Sequence, residues 1–156
     1  MNRLKAYTLF ELVLVTAIIG IMFSLAIVSF LPDQEKLNYK MMTESLAQHI
    51  TYAQEVALTE KKYAVLTADP EARTYSLSVM ASNLEESDRS IPLWYDNAFV
   101  NAVDISSITT TLRFGDSNQI FFKPWGLMES LDDITIEIDG MNLIVSGLTG
   151  HVSIQR

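Results

Sequence analysis

The 156-residue chain has no cysteine, which excludes disulfides, thiolate metal sites and a cysteine nucleophile. It has two histidines, His49 and His151, too few and too far apart for a histidine-based metal motif. Basic residues are scarce, with 11 Lys and Arg against 19 Asp and Glu. Arg3 and Lys5 are two of the 11, which leaves 9 against 19 for the rest of the chain. That deficit argues against a nucleic-acid partner, which needs clustered positive charge. No nucleophile elbow, phosphate-binding loop or zinc motif occurs, and no catalytic residue is expected. Internal repeats and low-complexity linkers are missing too. The length allows one modest core.

Charge is absent from one long stretch. Leu12–Leu31 is twenty residues without a charged side chain, in a chain that is 49% apolar overall. As a helix this run spans about 30 Å, the thickness of a bilayer's hydrocarbon core. A cleaved secretory signal has a shorter apolar region, and a buried core helix seldom goes this far without a charge. The run is therefore expected to insert in a membrane. Arg3 and Lys5 precede it, and Asp33, Glu35 and Lys36 follow it, so the positive-inside bias keeps the N-terminus cytoplasmic.

Glu11 stands at the start of this run. It can be read as interfacial, favoured by the positive end of the helix. It can also be read as awaiting a cation, which a new N-terminus at Tyr7 would supply one helical turn away. Thr16, Gly20 and Ser24 recur every four residues, a spacing that lets helices approach closely but is also common in membrane helices generally.

The segment Lys5-Ala6-Tyr7-Thr8-Leu9-Phe10-Glu11-Leu12, followed by Val13 to Met22, resembles a type IV prepilin N-terminus. The resemblance implies a leader, residues 1–6, cut by a prepilin peptidase between Ala6 and Tyr7. It implies N-methylation of Tyr7 and a role for Glu11 in pairing with a neighbouring subunit's amine. The family usually has Gly before the cut and Phe after it, where this chain has Ala6 and Tyr7.

Beyond Pro32, which either kinks the helix or separates two helices, a second helix is expected over about 33–60. Its apolar face carries Tyr39, Met42, Leu46, His49, Ile50, Ala53, Val56 and Ala57; Lys40, Glu44, Gln48 and Glu55 fall elsewhere. His49 reads as a packed histidine rather than a base. Residues 63–156 read as β-rich. Tyr63–Thr67 and Thr74–Met80 form a hairpin about Asp69-Pro70-Glu71, and Ser82–Ser90 is a loop. Ile91–Val103 holds short strands. Thr109–Phe114 and Gln119–Phe122 flank a turn at Gly115–Asn118. Ile134–Ile138 and Leu143–Ser146 flank Asp139-Gly140, with Met141-Asn142 lengthening the loop. A last strand covers His151–Gln155. The expected class is α+β, a long N-terminal helix packed on antiparallel sheet.

Two acidic clusters, Glu85, Glu86 and Asp88, and Glu129, Asp132 and Asp133, read as solvated surface rather than a calcium site, for which their spacing is wrong. Trp94, Tyr95, Phe99 and Trp125 are expected in the core rather than as a contact patch.

The order of elements is similar to the GspH/FimT group of minor pseudopilins and minor pilins. The stretches Tyr52–Ala57, Ile120–Gly126 and Thr149–Ile154 add to the likeness, and the group's usual proline near Val28 is missing. Some members of that group bind DNA through basic residues near the C-terminus; here the last thirty residues hold only Arg156. The resemblance implies a type IV pilin-like fold without cofactor or metal. It implies a single-pass inner-membrane precursor with its membrane and assembly helix at 7–31 and a periplasmic domain at 32–156. Its partners would be prepilin peptidase, an inner-membrane assembly platform and other pseudopilins or pilins. The function implied is that of a minor pseudopilin of a type II secretion system, or else a minor pilin priming a type IV pilus. A membrane-anchored enzyme or receptor is the remaining alternative.

Overall fold

The computed structural model describes residues 8–30, 34–80 and 87–155, and their side chains except at 25–30, 34–35 and 87–88. The Ala6–Tyr7 junction, Pro32, Glu85 and Glu86, the side chain of Asp88 and the terminal Arg156 lie outside the described residues. The chain divides into two units, Met1–Gln34 and Glu35–Arg156.

The first unit holds α1, Leu9–Phe30, whose described side chains are apolar apart from Glu11, Thr16 and Ser24. Thr8 caps it: its Oγ1 accepts the Glu11 N–H at 3.3 Å and its carbonyl accepts the Leu12 N–H at 3.2 Å. Within the helix the Thr16 hydroxyl donates back to the carbonyls of Leu12 and Val13, so it leaves no unsatisfied polar group on an apolar surface. Counted over described side chains, which in α1 end at Ser24, no helix is long and apolar enough to cross a membrane.

The second unit opens on α2, Gln34–Glu60, which belongs to it from Glu35 onward. Its 27 residues make a rod of about 40 Å. The face expected from periodicity is the buried one: Tyr39, Met42, Leu46, His49, Ile50, Ala53, Val56 and Ala57 are all enclosed, joined by Thr43, whose hydroxyl returns to the Tyr39 carbonyl. Lys40, Glu44, Gln48 and Glu55 face solvent. The exposed Lys40–Glu44 pair, at 3.7 Å, contributes little in water. Lys61 ends the helix in the left-handed region, with φ of 53°.

Among the described residues ten strands follow: β1 Tyr63–Asp69, β2 Thr74–Met80, β3 Ser87–Ile91, β4 Leu93–Tyr95, β5 Ala98–Val100, β6 Val103–Asp104, β7 Gln119–Phe122, β8 Ile134–Ile138, β9 Met141–Val145 and β10 Val152–Gln155. One sheet runs β3-β2-β1-β7, with β6 also on β2; a second runs β10-β9-β8; β4 and β5 form a separate ribbon. All pairs are antiparallel. The β1–β2 hairpin forms where the sequence places it, and Asp69 Oδ1 stabilises its turn by accepting the N–H groups of Glu71 and Ala72. The buried face of α2 and the inward residues of both larger sheets share one core, including Leu66, Leu77, Ile120, Phe122, Ile136 and Leu143.

Three expectations need correction. Ser82–Ser90 is not all loop, since Ser87–Ile91 is β3; β2 offers an open edge there, and backbone pairing outweighs the polar composition. Thr109–Phe114 forms no strand. Its apolar side chains Leu112 and Phe114 reach the core, but the strand expected to pair across the 115–118 turn, β7, is taken by β1. The segment is tied down by side chains instead: Tyr39 to Thr109, Thr110 to the Asp139 N–H, and the Arg73 guanidinium to the Ile108 carbonyl just before it. Finally, the β8–β9 turn is only Asp139-Gly140, because Ile138 pairs directly with Met141. Both turn residues have positive φ, 45° and 77°, which matches the strand twist of a tight hairpin.

Candidate functional site

In α1, Glu11 occupies the third position of the first turn and is exposed. The Thr8-Leu9-Phe10-Glu11 order has the spacing of a capping box, a signal that hydropathy and flanking charge pass over. Thr16, Gly20 and Ser24 are exposed and share one stripe of the helix. At 3.6 residues per turn, that stripe lies about half a turn around the axis from Glu11. The sites expected for charge pairing and for close helix packing are thus on opposite sides of α1. Nothing lies within 4 Å of where a Cβ on Gly20 would sit, so the notch is open to an approaching helix. Large apolar side chains cover the rest of the surface, among them Leu9, Phe10, Leu12, Ile21 and Phe23.

In the second unit, His49 is buried and joins three elements. Its Nδ1 lies 2.7 Å from the Tyr75 hydroxyl on β2, and its Nε2 lies 3.0 Å from the Trp94 carbonyl on β4. A carbonyl only accepts, so Nε2 carries the hydrogen and Nδ1 accepts from Tyr75. The ring therefore links α2, the main sheet and the β4–β5 ribbon. It has the packed role expected, with no nucleophile in the arrangement.

Burial holds the His49 imidazole below its ordinary value, opposed in part by the Trp94 carbonyl. The folded state thus binds the extra proton less readily than the unfolded chain. This site leaves stability unaffected above the unfolded value, 6.5, and lowers it as pH falls through 6.5 toward the folded value. Denaturant titrations of the full chain in mild detergent at about pH 7 and about pH 5 are expected to show this loss. A His49→Leu variant, less stable at both, should lack that component; an equal slope in both proteins would remove the assignment.

The aromatics depart from expectation. Only Tyr95 is partly enclosed, with its hydroxyl toward Met42 Sδ, while Trp94, Phe99 and Trp125 are 55%, 72% and 59% exposed. Trp94 and Phe99 are cross-strand partners, edge to face with ring centres 4.9 Å apart. The strand period explains this: in a ribbon where Leu93 points inward, Trp94 must point out. In the acidic cluster Glu129, Asp132 and Asp133, Asp133 is engaged through Oδ1, which accepts the Gly147 N–H at 2.7 Å. Among the described residues no group of three or more acidic or histidine side chains is placed to hold a metal ion.

By sequence the chain matches no family model and no curated protein. Its structure is similar to two solved proteins. The type IV minor pilin FimU of Pseudomonas aeruginosa superposes with a TM-score of 0.52 at 18% identity, over 80% of this chain and 91% of that one. The minor pseudopilin EpsH from the type 2 secretion system of Vibrio cholerae superposes with a TM-score of 0.50 at 14% identity, over 74% of this chain and 94% of that one. An amphipathic helix against antiparallel sheets, joined in this order, is the α+β fold that type IV minor pilins and minor pseudopilins share, and this chain has it.

Proposed function

We propose that the chain is a minor pseudopilin of a type II secretion system, a subunit that does no chemistry and acts by assembly. The observation that carries this is α1, apolar all round and exposed along its described length, with one carboxylate in its first turn. A plain anchor gains nothing from Glu11, since a carboxylate in hydrocarbon costs about 2.5–3.5 kcal/mol at the centre and less near the interface. An assembly helix does gain. In this reading residues 7–31 first span the inner membrane, with the N-terminus cytoplasmic and residues 32–156 periplasmic. Prepilin peptidase cuts between Ala6 and Tyr7 and methylates the Tyr7 amine. Glu11 then neutralises a neighbour's amine as the assembly platform moves the subunit into a fibre, while Thr16, Gly20 and Ser24 admit a second helix. The likeness to EpsH supports the secretion reading. The likeness to FimU supports a second reading, a minor pilin priming a type IV pilus, in which the same residues serve.

Two measurements test this. The mass of the N-terminal peptide from cells with an active prepilin peptidase should correspond to a chain starting at methylated Tyr7. Glu11→Ala should leave membrane insertion intact and abolish incorporation into fibres. An intact leader, or normal assembly of the variant, would return α1 to a simple anchor and favour a membrane-tethered enzyme or receptor. Deleting the gene separates the two fibre systems: lost secretion with normal pili supports the first reading, lost pili with normal secretion the second.

A further inference from the structure

The globular unit has an apolar surface that its own core does not explain. Leu58 near the end of α2, Trp125 and Leu127 after β7, Leu131 before β8, and Leu148 after β9 are all exposed, Leu131 by 78%. Backbone contacts join the segments that carry them. The Met128 N–H donates to the Leu148 carbonyl at 3.1 Å, and the Leu148 N–H donates to the Ser130 carbonyl at 3.0 Å. The Gln54 side-chain amide donates to the carbonyls of Gly126, at 2.6 Å, and Thr149, at 2.8 Å, pinning both loops to α2. Gly126 packs so closely on Leu58 that a Cβ would come within 2.6 Å of it. The backbone of these loops is therefore held in place before any partner arrives, which removes part of the ordering cost of binding. Large exposed apolar side chains gathered on such tied loops mark an interaction site rather than ordinary surface.

Charge identifies the occupant. Next to Leu131 runs a cleft of about 540 Å³ with Phe121, Met128 and Ile134 in its lining. Asp116, Glu129, Asp132 and Asp133 also line it, and it contains no Lys or Arg. A two-fold contact of this chain centred there would set these carboxylates against themselves, and an anionic bilayer or nucleic acid would be repelled. We infer that the Leu58–Trp125–Leu131–Leu148 surface and its acidic cleft dock a different protein subunit, one presenting Lys or Arg beside an apolar face. The inference rests on the fibre reading above, in which that subunit is a neighbour in the assembly. Apolar area would supply the affinity, and the carboxylates the choice of partner.

The test uses the full chain in mild detergent with a benzophenone amino acid at position 131. The probes are the other pilin-fold subunits encoded by the same organism, each purified singly. The expected result is an adduct with one of them, at a peptide containing Lys or Arg. Affinity for that subunit should weaken with added salt and fall about tenfold or more in Trp125→Ala and in the double variant Glu129→Lys, Asp132→Lys. Trp94→Ala, on the separate ribbon, should bind normally. An adduct with a second copy of this chain, an adduct with detergent or lipid alone, or unchanged affinity in both variants would overturn the inference. Assembly that needs Glu11 without any charge-dependent adduct removes the docking surface and leaves the fibre reading standing. An intact adduct with assembly indifferent to Glu11 removes the fibre reading alone.

Discussion

Phe122→Ala is expected to lower the stability of the globular unit by about 3–5 kcal/mol, read from the denaturant midpoint of tryptophan fluorescence in the full chain. Phe122 is fully buried, stands opposite Ala64 across the β1–β7 pair and bridges to Met128 at the start of the next loop. Its ring also abuts Gly150: a Cβ there would lie 2.5 Å from the ring edge, and Gly150 has φ of +69°. Small domains have about 5–15 kcal/mol to lose, so the single change removes a large share. The ring contact makes the prediction sharper. Gly150→Ala alone carries two penalties, about 1–2 kcal/mol for the left-handed backbone and about 1–3 kcal/mol for the clash. In the Phe122→Ala background the clash disappears and only the backbone penalty remains. The double variant should therefore be more stable than the sum of the two single losses implies, by about 1–3 kcal/mol. Strict additivity would mean that ring and glycine do not meet.

Gly147→Ala should be nearly as damaging, at about 3 kcal/mol or more. A Cβ on Gly147 would overlap the Leu131 carbonyl oxygen and lie 2.5 Å from its carbon and 2.8 Å from the carbonyl carbon of Asp132. These are backbone atoms, so no rotamer change relieves the overlap. The two loops must part, which breaks the Gly147 N–H bond to Asp133 and strains the Leu148 N–H bond to Ser130. Gly126 offers the contrast. A Cβ there meets only the end of the half-exposed Leu58 side chain, which can swing aside. Gly126→Ala should cost only the strain of its φ of +78°, about 1–2 kcal/mol. Equal losses at the two positions, in the same denaturant measurement, would show that contact with backbone is not what distinguishes them. Because Leu131 and Leu148 sit on the parted loops, Gly147→Ala should also disrupt the proposed docking surface.

Much of this arrangement was legible in the residues. Apolar spacing of 3.6 placed the buried side of α2, because one face of a helix must meet the core whatever that core contains. The β1–β2 hairpin was legible from Asp69 and Pro70, whose turn chemistry acts over a few residues. Glu11 stood out because one carboxylate beside a charge-free run has few physical justifications. Hydropathy and flanking charge pass over Thr8 as a cap, although its spacing to Glu11 carries that signal. Thr109–Phe114 has the alternation of a strand without being one, because which segment obtains β1's free edge is a long-range competition. The outward placement of Trp94 and Phe99 is hidden in the sequence for a related reason, since aromatic residues default to the core until the ribbon's register assigns them a side.

The sequence by itself determined the periodic and local features: an uncharged helix with one acid at its start, an amphipathic helix after it, and most of the strands. Those follow from interactions within a few residues along the chain. Only the tertiary structure decided what lies between distant segments. It tied His49 on α2 to Tyr75 and Trp94, pinned two loops to Gln54, and brought the loops that carry Trp125, Leu131 and Leu148 together beside an acidic cleft. No local preference encodes such a surface. It exists because sheet pairing and core burial bring loops from residues 58 to 148 together, and exposure is what remains after the core has taken its share.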